Sequence, residues 1–330
     1  MINETNNQIY SIYEPILQDM TEVQYRIKGL VQGQDQHMHD LIAYLFERGG
    51  KGLRPALTLL ASKLNSRKSD KSISMAIAIE LLHIATLIHD DTVDNSTLRH
   101  GQETISSHWG QNIAILLGDY IFATSARFVC DTESIRVIKR FSETIMELSS
   151  GQIMEFFSSH SMEQHRKEYE DRIYRKTASL FRTASEAGAI LGGAEEQQVG
   201  QLNKYGYNIG MAFQIVDDVL DVQATSAQLG KPVGNDLIHG ILTLPTLLLT
   251  ELGPKTDIST ELKELFANPQ RKGPIEKILG MVQDFDIIEK CYGEAEQYCQ
   301  KARENLTGLP ESNAKESLEL LSYYITKRHN

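Results

Sequence analysis

The apolar positions of this chain recur at helical spacing. One segment, Ile73 to Ile88, is apolar on almost every side, and a second runs from about Tyr205 to Leu220. Such segments are typical of helices that are buried on most sides. The same periodicity predicts further helices at about 104–129, 134–158 and 166–191, with breaks at 95–96, 131–132, 159–160 and 192–193.

The prolines and turns favour an all-helical chain. None of the eight prolines lies between Pro55 and Pro232, and proline interrupts helix interiors. No run in that stretch alternates apolar and polar residues as a strand does. Beyond a loop at about 225–236 we predict shorter helices, with loops near 253–254, 269–273 and 308–310 and an exposed polar tail at 327–330. The sequence therefore predicts an all-α fold in which residues 1–330 form one domain.

Composition and charge narrow the range of partners. Among 330 residues, 33 are Lys or Arg and 44 are Asp or Glu, so the formal net charge is −11. This charge argues against nucleic acid or an anionic membrane as the main partner. The three cysteines lack metal-ligand spacing, which favours a reduced, cytoplasmic setting. We expect no signal peptide, because residues 1–10 are polar and lack a basic region followed by an apolar core. We expect no transmembrane segment, because no uninterrupted apolar run is long enough.

Two short acidic motifs carry the clearest chemical signal. Both have the spacing Asp-Asp-x-x-Asp, and each lies at the C-terminal end of an apolar helix. They are the first aspartate cluster, Asp90, Asp91 and Asp94, and the second aspartate cluster, Asp217, Asp218 and Asp221. Carboxylates four residues apart repel each other on one helix face and oppose the helix dipole. Mg²⁺ would compensate this charge and bridge a diphosphate, although either motif alone is also compatible with a solvated helix end.

Several basic and polar residues suit a diphosphate. Lys51 and Arg54 lie on a glycine-rich turn that leads into a helix, a setting that favours anions. Ordinary surface charge would explain any one of the others, but together they match the outer oxygens of a metal-bound diphosphate. These others are Arg99, His100, Lys176, Thr177, Gln214 and Lys231.

Taken in order, these motifs resemble the trans-isoprenyl diphosphate synthases, the polyprenyl synthetase family. The resemblance covers roughly residues 45–250 and implies an isoprenoid-synthase-like bundle of long helices around a central cavity, a homodimer and dependence on Mg²⁺. Besides the two clusters, the matching motifs are Gly-Gly-Lys-x-x-Arg-Pro at 49–55, Glu80-Leu-Leu-His83, Arg99-x-Gly101, Leu117-Gly-Asp-Tyr120, Gly151-Gln152, Lys176-Thr177, Gln214, Gly230-Lys231-Pro232 and Thr243-Leu-Pro245.

The resemblance also implies a role for each motif. The two aspartate clusters would hold three Mg²⁺ ions on an allylic diphosphate, with help from Arg99, Lys176, Thr177, Gln214 and Lys231. Isopentenyl diphosphate would be held by Lys51, Arg54 and His83, and His100 occupies a position that normally faces it. Metal ions and cations turn diphosphate into a leaving group, and an apolar helical wall shields the allylic carbocation from water. We interpret His89, beside the first cluster, as a structural partner rather than a base.

Three positions depart from the family pattern. His100 stands where a second arginine is usual, Gly52 where a basic or aromatic residue is usual, and Ile241 where a lysine is frequent. The first departure matters most, because that arginine normally faces isopentenyl diphosphate. Binding would then be weaker, or dependent on pH through His100.

Small residues before the first cluster predict a long product. Ala85 and Thr86 lie about one helical turn before Asp90, where an aromatic side chain would close the product tunnel. Long-chain members such as octaprenyl diphosphate synthases look the same here. The deeper floor would come from Leu81 or Leu82, or from the helix at 134–158 around Met146. We expect a product of about six to nine isoprene units, used in a quinone side chain. Alternatively, Ala85 only permits close helix packing.

The sequence is also compatible with other functions. The alternatives within the family are a short-chain synthase that makes farnesyl or geranylgeranyl diphosphate and a subunit of a heteromeric synthase. A terpene cyclase is a further alternative, but cyclases generally carry a different second metal motif, whereas Asp217, Asp218 and Asp221 are all present here.

Overall fold

Helices form almost all of this computed structural model, which describes residues 9–47, 50–65, 70–99, 101–223, 233–268 and 271–328. The all-α class predicted from the sequence is confirmed. In chain order the α-helices are α1 Leu17–Lys28, α2 Gln36–Glu47, α3 Leu53–Lys63, α4 Asp70–Val93, α5 Ile105–Trp109, α6 Gln111–Cys130, α7 Ile135–Ser158, α8 Arg166–Ile173, α9 Ser179–Leu191, α10 Glu196–Gln223, α11 Asn235–Ile238, α12 Leu244–Glu251, α13 Ile258–Ala267, α14 Lys272–Asp284, α15 Ile287–Asn305 and α16 Asn313–Thr326.

Shorter elements interrupt this helical pattern. A π-helical segment, Tyr174–Ala178, joins α8 to α9, so the helix predicted at 166–191 changes its winding in the middle. Two antiparallel strands, β1 Leu98–Arg99 and β2 Gln102–Glu103, follow the first aspartate cluster. The 3₁₀ turns are Glu14–Ile16, Gly29–Val31 and Gly253–Lys255.

Two boundaries differ from the sequence prediction. The single helix predicted at 104–129 is divided into α5 and α6, because Gly110 adopts φ +90°, a conformation that ends a helix and that favours glycine. The second apolar helix begins at Glu196 rather than at about Tyr205. The predicted breaks at 95–96, 131–132, 159–160 and 192–193 all lie outside the helices.

The chain forms two compact units. Unit 1 comprises Met1–Glu143, Leu180–Gly206 and Asn305–Leu321. Its centre is α4, which packs against α1, α3 and α6. The apolar residues of α4 are fully buried at Met75, Ile77, Ile79 and Leu81, as expected for a helix that is apolar on almost every side.

Glycines let α9 approach α3 closely within unit 1. A side chain at Gly188 would bring its Cβ within 2.2 Å of the Thr58 carbonyl oxygen, and one at Gly192 within 2.3 Å of the Ser62 carbonyl oxygen. The absence of a side chain at both positions is therefore a packing requirement, which fixes the helix that carries Arg54.

Unit 2 comprises Thr144–Ser179, Tyr207–Glu304 and Ser322–Asn330. Here α12 packs against α8, α13 and α14, and α13 packs against α14. Large apolar residues on these helices are fully buried, including Leu249, Leu262, Leu265 and Ile278. That residues 1–330 act as one domain stays a prediction.

Among the residues that the structure describes, two helices, both in unit 1, are long and apolar enough to cross a membrane by length and composition, although the sequence has no uninterrupted apolar run of that length. The most apolar stretch of α4 is 67% buried, whereas that of α6 is 39% buried. Core helices meet the same criteria, so these two helices are weak support for a membrane span.

Candidate active site

The first aspartate cluster ends α4 in unit 1. Asp91 is buried, Asp90 is half-buried and Asp94 is exposed in the turn that follows. The Arg99 guanidinium donates hydrogen bonds to Asp91. Its Nε lies 3.0 Å from Oδ1 and 2.8 Å from Oδ2, and its Nη2 lies 2.7 Å from Oδ1. Burial lowers the pKa of Arg99, but the Asp91 hydrogen bonds and the three negative charges of the cluster outweigh it and raise that pKa.

The short β-ribbon positions Arg99. Arg99 pairs with Gln102 across the two strands, and the hydroxyl of Thr104 donates to the Ser96 carbonyl at 2.7 Å. The Ser96 amide in turn donates to the Asp91 carbonyl at 2.9 Å. The chain after α4 is thus folded back onto the cluster, which explains how a residue eight positions after Asp91 contacts it.

Arg54 and His83 meet in the same unit. Arg54 lies in the first turn of α3, and its Nη1 is 3.1 Å from Nε2 of His83 on α4. The guanidinium also lies 4.5 Å above the centre of the Phe181 ring. Burial and the charges of Arg54 and Arg99 hold the pKa of His83 well below its usual value. His83 is therefore neutral at pH 7, and its Nε2 accepts the hydrogen bond from Arg54.

We call Arg54, His83 and two residues near them, Lys51 and Glu80, the basic corner of unit 1. Burial raises the pKa of Glu80, one turn before His83, and the Arg54 charge opposes that rise. Lys51 is exposed, and its carbonyl accepts a 2.7 Å hydrogen bond from the Tyr13 hydroxyl. Gly52 adopts φ +66°, a conformation in which the basic or aromatic side chain usual at this position in the family would be strained.

The residues predicted to set product length lie on α4. Leu82 and Ala85 are buried, and the half-buried Thr86 donates its hydroxyl to the His83 carbonyl at 2.7 Å. His89, further along α4, packs so closely on Gly118 of α6 that a Cβ there would lie 2.2 Å from Nε2. This packing fits the structural role expected of His89.

The second aspartate cluster lies near the end of α10 in unit 2. Asp217 pairs with the Arg328 guanidinium, which also lies 3.9 Å above the Phe213 ring centre. Oδ2 of Asp221 accepts the Asp236 amide at 3.1 Å, which ties the start of α11 to the cluster. Each of these contacts neutralises or satisfies a carboxylate oxygen inside the unit.

Asp218 lies at the centre of a buried hydrogen-bond chain. It accepts the Tyr169 hydroxyl at 2.7 Å and the Gln214 amide at 2.8 Å. Gln214 in turn accepts the Thr177 hydroxyl at 2.6 Å, so the predicted residues Thr177, Gln214 and Asp218 are joined. Burial and the Asp236 charge raise the pKa of Asp218 well above its usual value, against the opposing effect of these hydrogen bonds and of Arg172.

Lys176 lies in the π-helical segment of unit 2. Its ammonium group donates to the carboxylate of Glu155, a buried residue of α7. The sequence gives no local sign of this contact, because Glu155 lies one turn after Gly151 without any charge pattern of its own. Two other predicted site residues, His100 and Lys231, lie outside the described residues.

Arg328 corrects the expectation of an exposed polar tail. Its side chain is buried and bound to Asp217, because the ion pair and the Phe213 ring together compensate for the loss of solvent. Sequence reasoning missed it because a polar terminus resembles a solvated one. Tyr169 was missed for a similar reason, since its hydrogen bond to Asp218 is a tertiary contact.

The donors of both clusters suit Mg²⁺ in type. Both clusters offer carboxylate oxygens alone, and Mg²⁺ prefers such oxygens, usually one or two of them together with water and substrate phosphates. Within the described residues, no group of three or more His, Cys, Asp or Glu side chains is already arranged around a metal position.

Comparison with known proteins identifies the family. Residues 35–282 match the sequence profile of the polyprenyl synthetases. The chain is 33% identical to heptaprenyl diphosphate synthase component 2 of Geobacillus stearothermophilus, over 97% of this chain and 99% of that protein. It is 31% identical to octaprenyl diphosphate synthase of Haemophilus influenzae, over 98% of this chain and 97% of that protein.

A solved structure agrees with these sequence similarities. The polyprenyl synthase of Caulobacter crescentus, solved with calcium and isoprenyl diphosphate, superposes with a TM-score of 0.91 and 29% identity over 98% of each chain. The chain belongs to the polyprenyl synthetase family. It is a prenyltransferase of the kind that elongates prenyl chains.

The neutral His83 predicts a pH dependence of stability. Its folded pKa lies below the usual 6.5, so the unfolded chain binds more protons as the pH falls through that value. The free energy of unfolding should therefore decrease below pH 6.5, and His83→Gln should remove part of that decrease. The slope of the free energy of unfolding against pH should differ between the two proteins by about 1 kcal/mol per pH unit or less.

Urea unfolding at several pH values between neutral and mildly acidic measures this difference. Each curve is referred to its own value at neutral pH, so that a constant loss of stability in the variant does not count. Parallel curves for the two proteins would contradict a neutral His83 with a lowered pKa.

Proposed function

We propose that this protein is an all-trans polyprenyl diphosphate synthase. It condenses isopentenyl diphosphate onto an allylic diphosphate, farnesyl or geranylgeranyl diphosphate, and releases a long-chain product for a quinone side chain. One observation carries the proposal: both aspartate clusters are complete, and each ends an apolar helix in a unit that also contains the basic residues expected for a diphosphate.

The proposed catalytic work is the departure of the allylic diphosphate. Bound Mg²⁺, three ions by family resemblance, supplies the positive charge that makes diphosphate a leaving group. On the protein side, we assign the metal-facing carboxylates to Asp90, Asp91, Asp94, Asp217, Asp218 and Asp221. Arg99, Lys176 and Lys231 then stabilise the outer phosphate oxygens, and the Thr177–Gln214 pair orients Asp218.

The second substrate is proposed to bind at the basic corner of unit 1. Lys51 and Arg54 provide the cations, and Arg99 and His100 extend them. Because His83 is neutral, we do not assign it a positive charge that would attract phosphate. Its proposed role is to hold Arg54 in place by accepting a hydrogen bond from the guanidinium. The double bond of isopentenyl diphosphate attacks the allylic cation, and the released diphosphate accepts the proton.

We also propose a cytoplasmic homodimer. Monomeric proteins rarely expose contiguous apolar faces, and both α6 and the unit 2 part of α7 carry exposed apolar side chains. These are Ile115, Leu116, Met146, Ile153, Phe156 and Phe157. The similarity to a heptaprenyl diphosphate synthase component supports one alternative, in which the chain is a subunit of a heteromeric synthase.

An incorporation assay tests the proposed function. Purified protein, Mg²⁺, farnesyl diphosphate and labelled isopentenyl diphosphate should give labelled product without any added partner. Asp90→Asn should reduce the rate about 100-fold or more, because metal-assisted neutralisation of a leaving group contributes several kcal/mol. Light scattering on the same sample reports the oligomeric state.

Asp284→Asn is the matched control, since Asp284 is exposed at the end of α14 and belongs to neither cluster. It should keep the parental rate. Incorporation that appears only after a partner protein is added would instead favour the heteromeric subunit. An Asp90→Asn variant with full activity would contradict the role given to the first cluster.

Enlarging Ala85 should shorten the product. We propose that Ala85, with Thr86 and Leu82, borders the growing chain, so Ala85→Phe would stop elongation early and Ala85→Val would shorten it less. Chromatography of products made from farnesyl diphosphate measures the length, expected at about six to nine isoprene units in the parent.

The smaller substitution protects this test against misfolding. Ala85 is 1% exposed, and overfilling a packed position costs about 1–3 kcal/mol, so Phe alone is ambiguous if the protein unfolds. Ala267→Phe, at an exposed helix end, is the control for adding an aromatic ring. Unchanged lengths in a folded Ala85→Val and Ala85→Phe pair would assign Ala85 to helix packing. A farnesyl or geranylgeranyl end product from the parent would establish the short-chain alternative.

A further inference from the structure

Glu155 is a buried carboxylate that the proposed function does not yet use. It lies on α7 in unit 2 with 8% of its surface exposed. A buried carboxylate is costly unless cations or hydrogen-bond donors compensate its charge. Two cations approach this one: Lys176 donates to Oε1, and Nε of Arg172 lies 3.7 Å from Oε2.

The second cation is itself fixed on several sides. Arg172 is 4% exposed, and its Nη2 donates to the Leu242 carbonyl at 2.8 Å. Its Nη1 donates to Oε1 of Gln164 at 3.3 Å, and the Leu242 amide donates to the same oxygen at 3.0 Å. The Gln164 amide reaches the Gly240 carbonyl at 2.9 Å. Arg172 is therefore a rigid anchor for Glu155.

Close backbone packing brings Glu155 to the π-helical segment. Gly151 lies one turn before Glu155 on α7, and a Cβ there would lie 2.8 Å from Cβ of Arg175 and 3.0 Å from the amide nitrogen of Lys176. Only glycine allows this approach without displacement. The same face of α7 thus provides a gap for the Lys176 backbone and a carboxylate for its ammonium group.

We infer that Glu155 is a positioning residue for Lys176. It holds the ammonium group in one place and, through Arg172 and Gln164, ties it to the 240–242 segment. The inference rests on the proposed function only where it concerns catalysis, since Lys176 is there assigned to the allylic diphosphate. A flexible lysine would otherwise lose much of its rotamer freedom each time substrate bound.

Chemical labelling of Lys176 tests the contact directly. A short pulse of an amine-acylating reagent is followed by peptide mass spectrometry, with the exposed Lys263 as the internal reference. Glu155→Gln should increase labelling of Lys176 relative to Lys263 by about tenfold, the factor expected when a charge-assisted hydrogen bond is lost. Glu155→Asp, which keeps the charge, should restore part of the protection.

Glu147→Gln is the matched control. Glu147 is also on α7 and accepts a 2.8 Å hydrogen bond from the Tyr174 hydroxyl, so it contacts the same π-helical segment at a different residue. This variant should leave Lys176 labelling at the parental level. Equal Lys176 labelling in the parent and in Glu155→Gln would overturn the inference, because Glu155 would then not hold the ammonium group.

Kinetics then separate positioning from a purely structural effect. Glu155→Gln should lower kcat about 10–100-fold and change KM for the allylic diphosphate, while KM for isopentenyl diphosphate stays constant. If the substitution only reduced the fraction of correctly folded protein, kcat would fall while both KM values stayed unchanged. That result would contradict the catalytic part of the inference. If the parent protein has no synthase activity, the proposed function fails, but the labelling result still decides whether Glu155 holds Lys176.

Discussion

Negative charge gathered at the ends of two apolar helices is the constraint on which the candidate site depends. The helix α4 and the apolar second half of α10 gain stability by burial, yet three aspartates lie at or near the C-terminal end of each helix, where they repel one another and oppose the helix dipole. Such charge requires compensation wherever the side chains leave solvent. The neighbouring cations and donors are arranged accordingly.

Within each unit, protein groups already provide part of this compensation. Arg99 neutralises Asp91, Arg328 neutralises Asp217, and Tyr169 donates to Asp218. A metal-bound diphosphate would therefore compete with, or rearrange, existing contacts rather than enter a bare acidic surface. The Glu155–Lys176 contact follows the same principle with the charges reversed, since there a buried carboxylate holds the cation that we assign to a phosphate.

The sequence predicts local features well and tertiary ones poorly. The helical positions of both clusters follow from apolar periodicity, and the Gln214–Asp218 contact follows from a spacing of one turn. The break at Gly110 and the two-residue strands leave too short a signal to detect. Arg328 reaches a residue far away in sequence, so no local pattern marks its burial.

The distinction between motif and role is sharpest at His83. Its position in the Glu-Leu-Leu-His motif suggests a basic ligand for a phosphate, but burial beside Arg54 makes it a neutral acceptor. Composition and spacing give residue types, whereas protonation depends on neighbours that only the fold supplies. The same reasoning explains why Glu155 is inconspicuous in the sequence, although the fold places it between Lys176 and Arg172 in unit 2.

Equilibrium binding of an unreactive thiolo analogue of farnesyl diphosphate tests the central claim most directly. Isothermal titration with and without Mg²⁺ should show binding that depends on the metal, and Asp90→Asn and Asp217→Asn should each weaken it about tenfold or more. Binding that is independent of Mg²⁺, or unaffected by either substitution, would contradict the claim that the aspartate clusters bind Mg²⁺ for an allylic diphosphate.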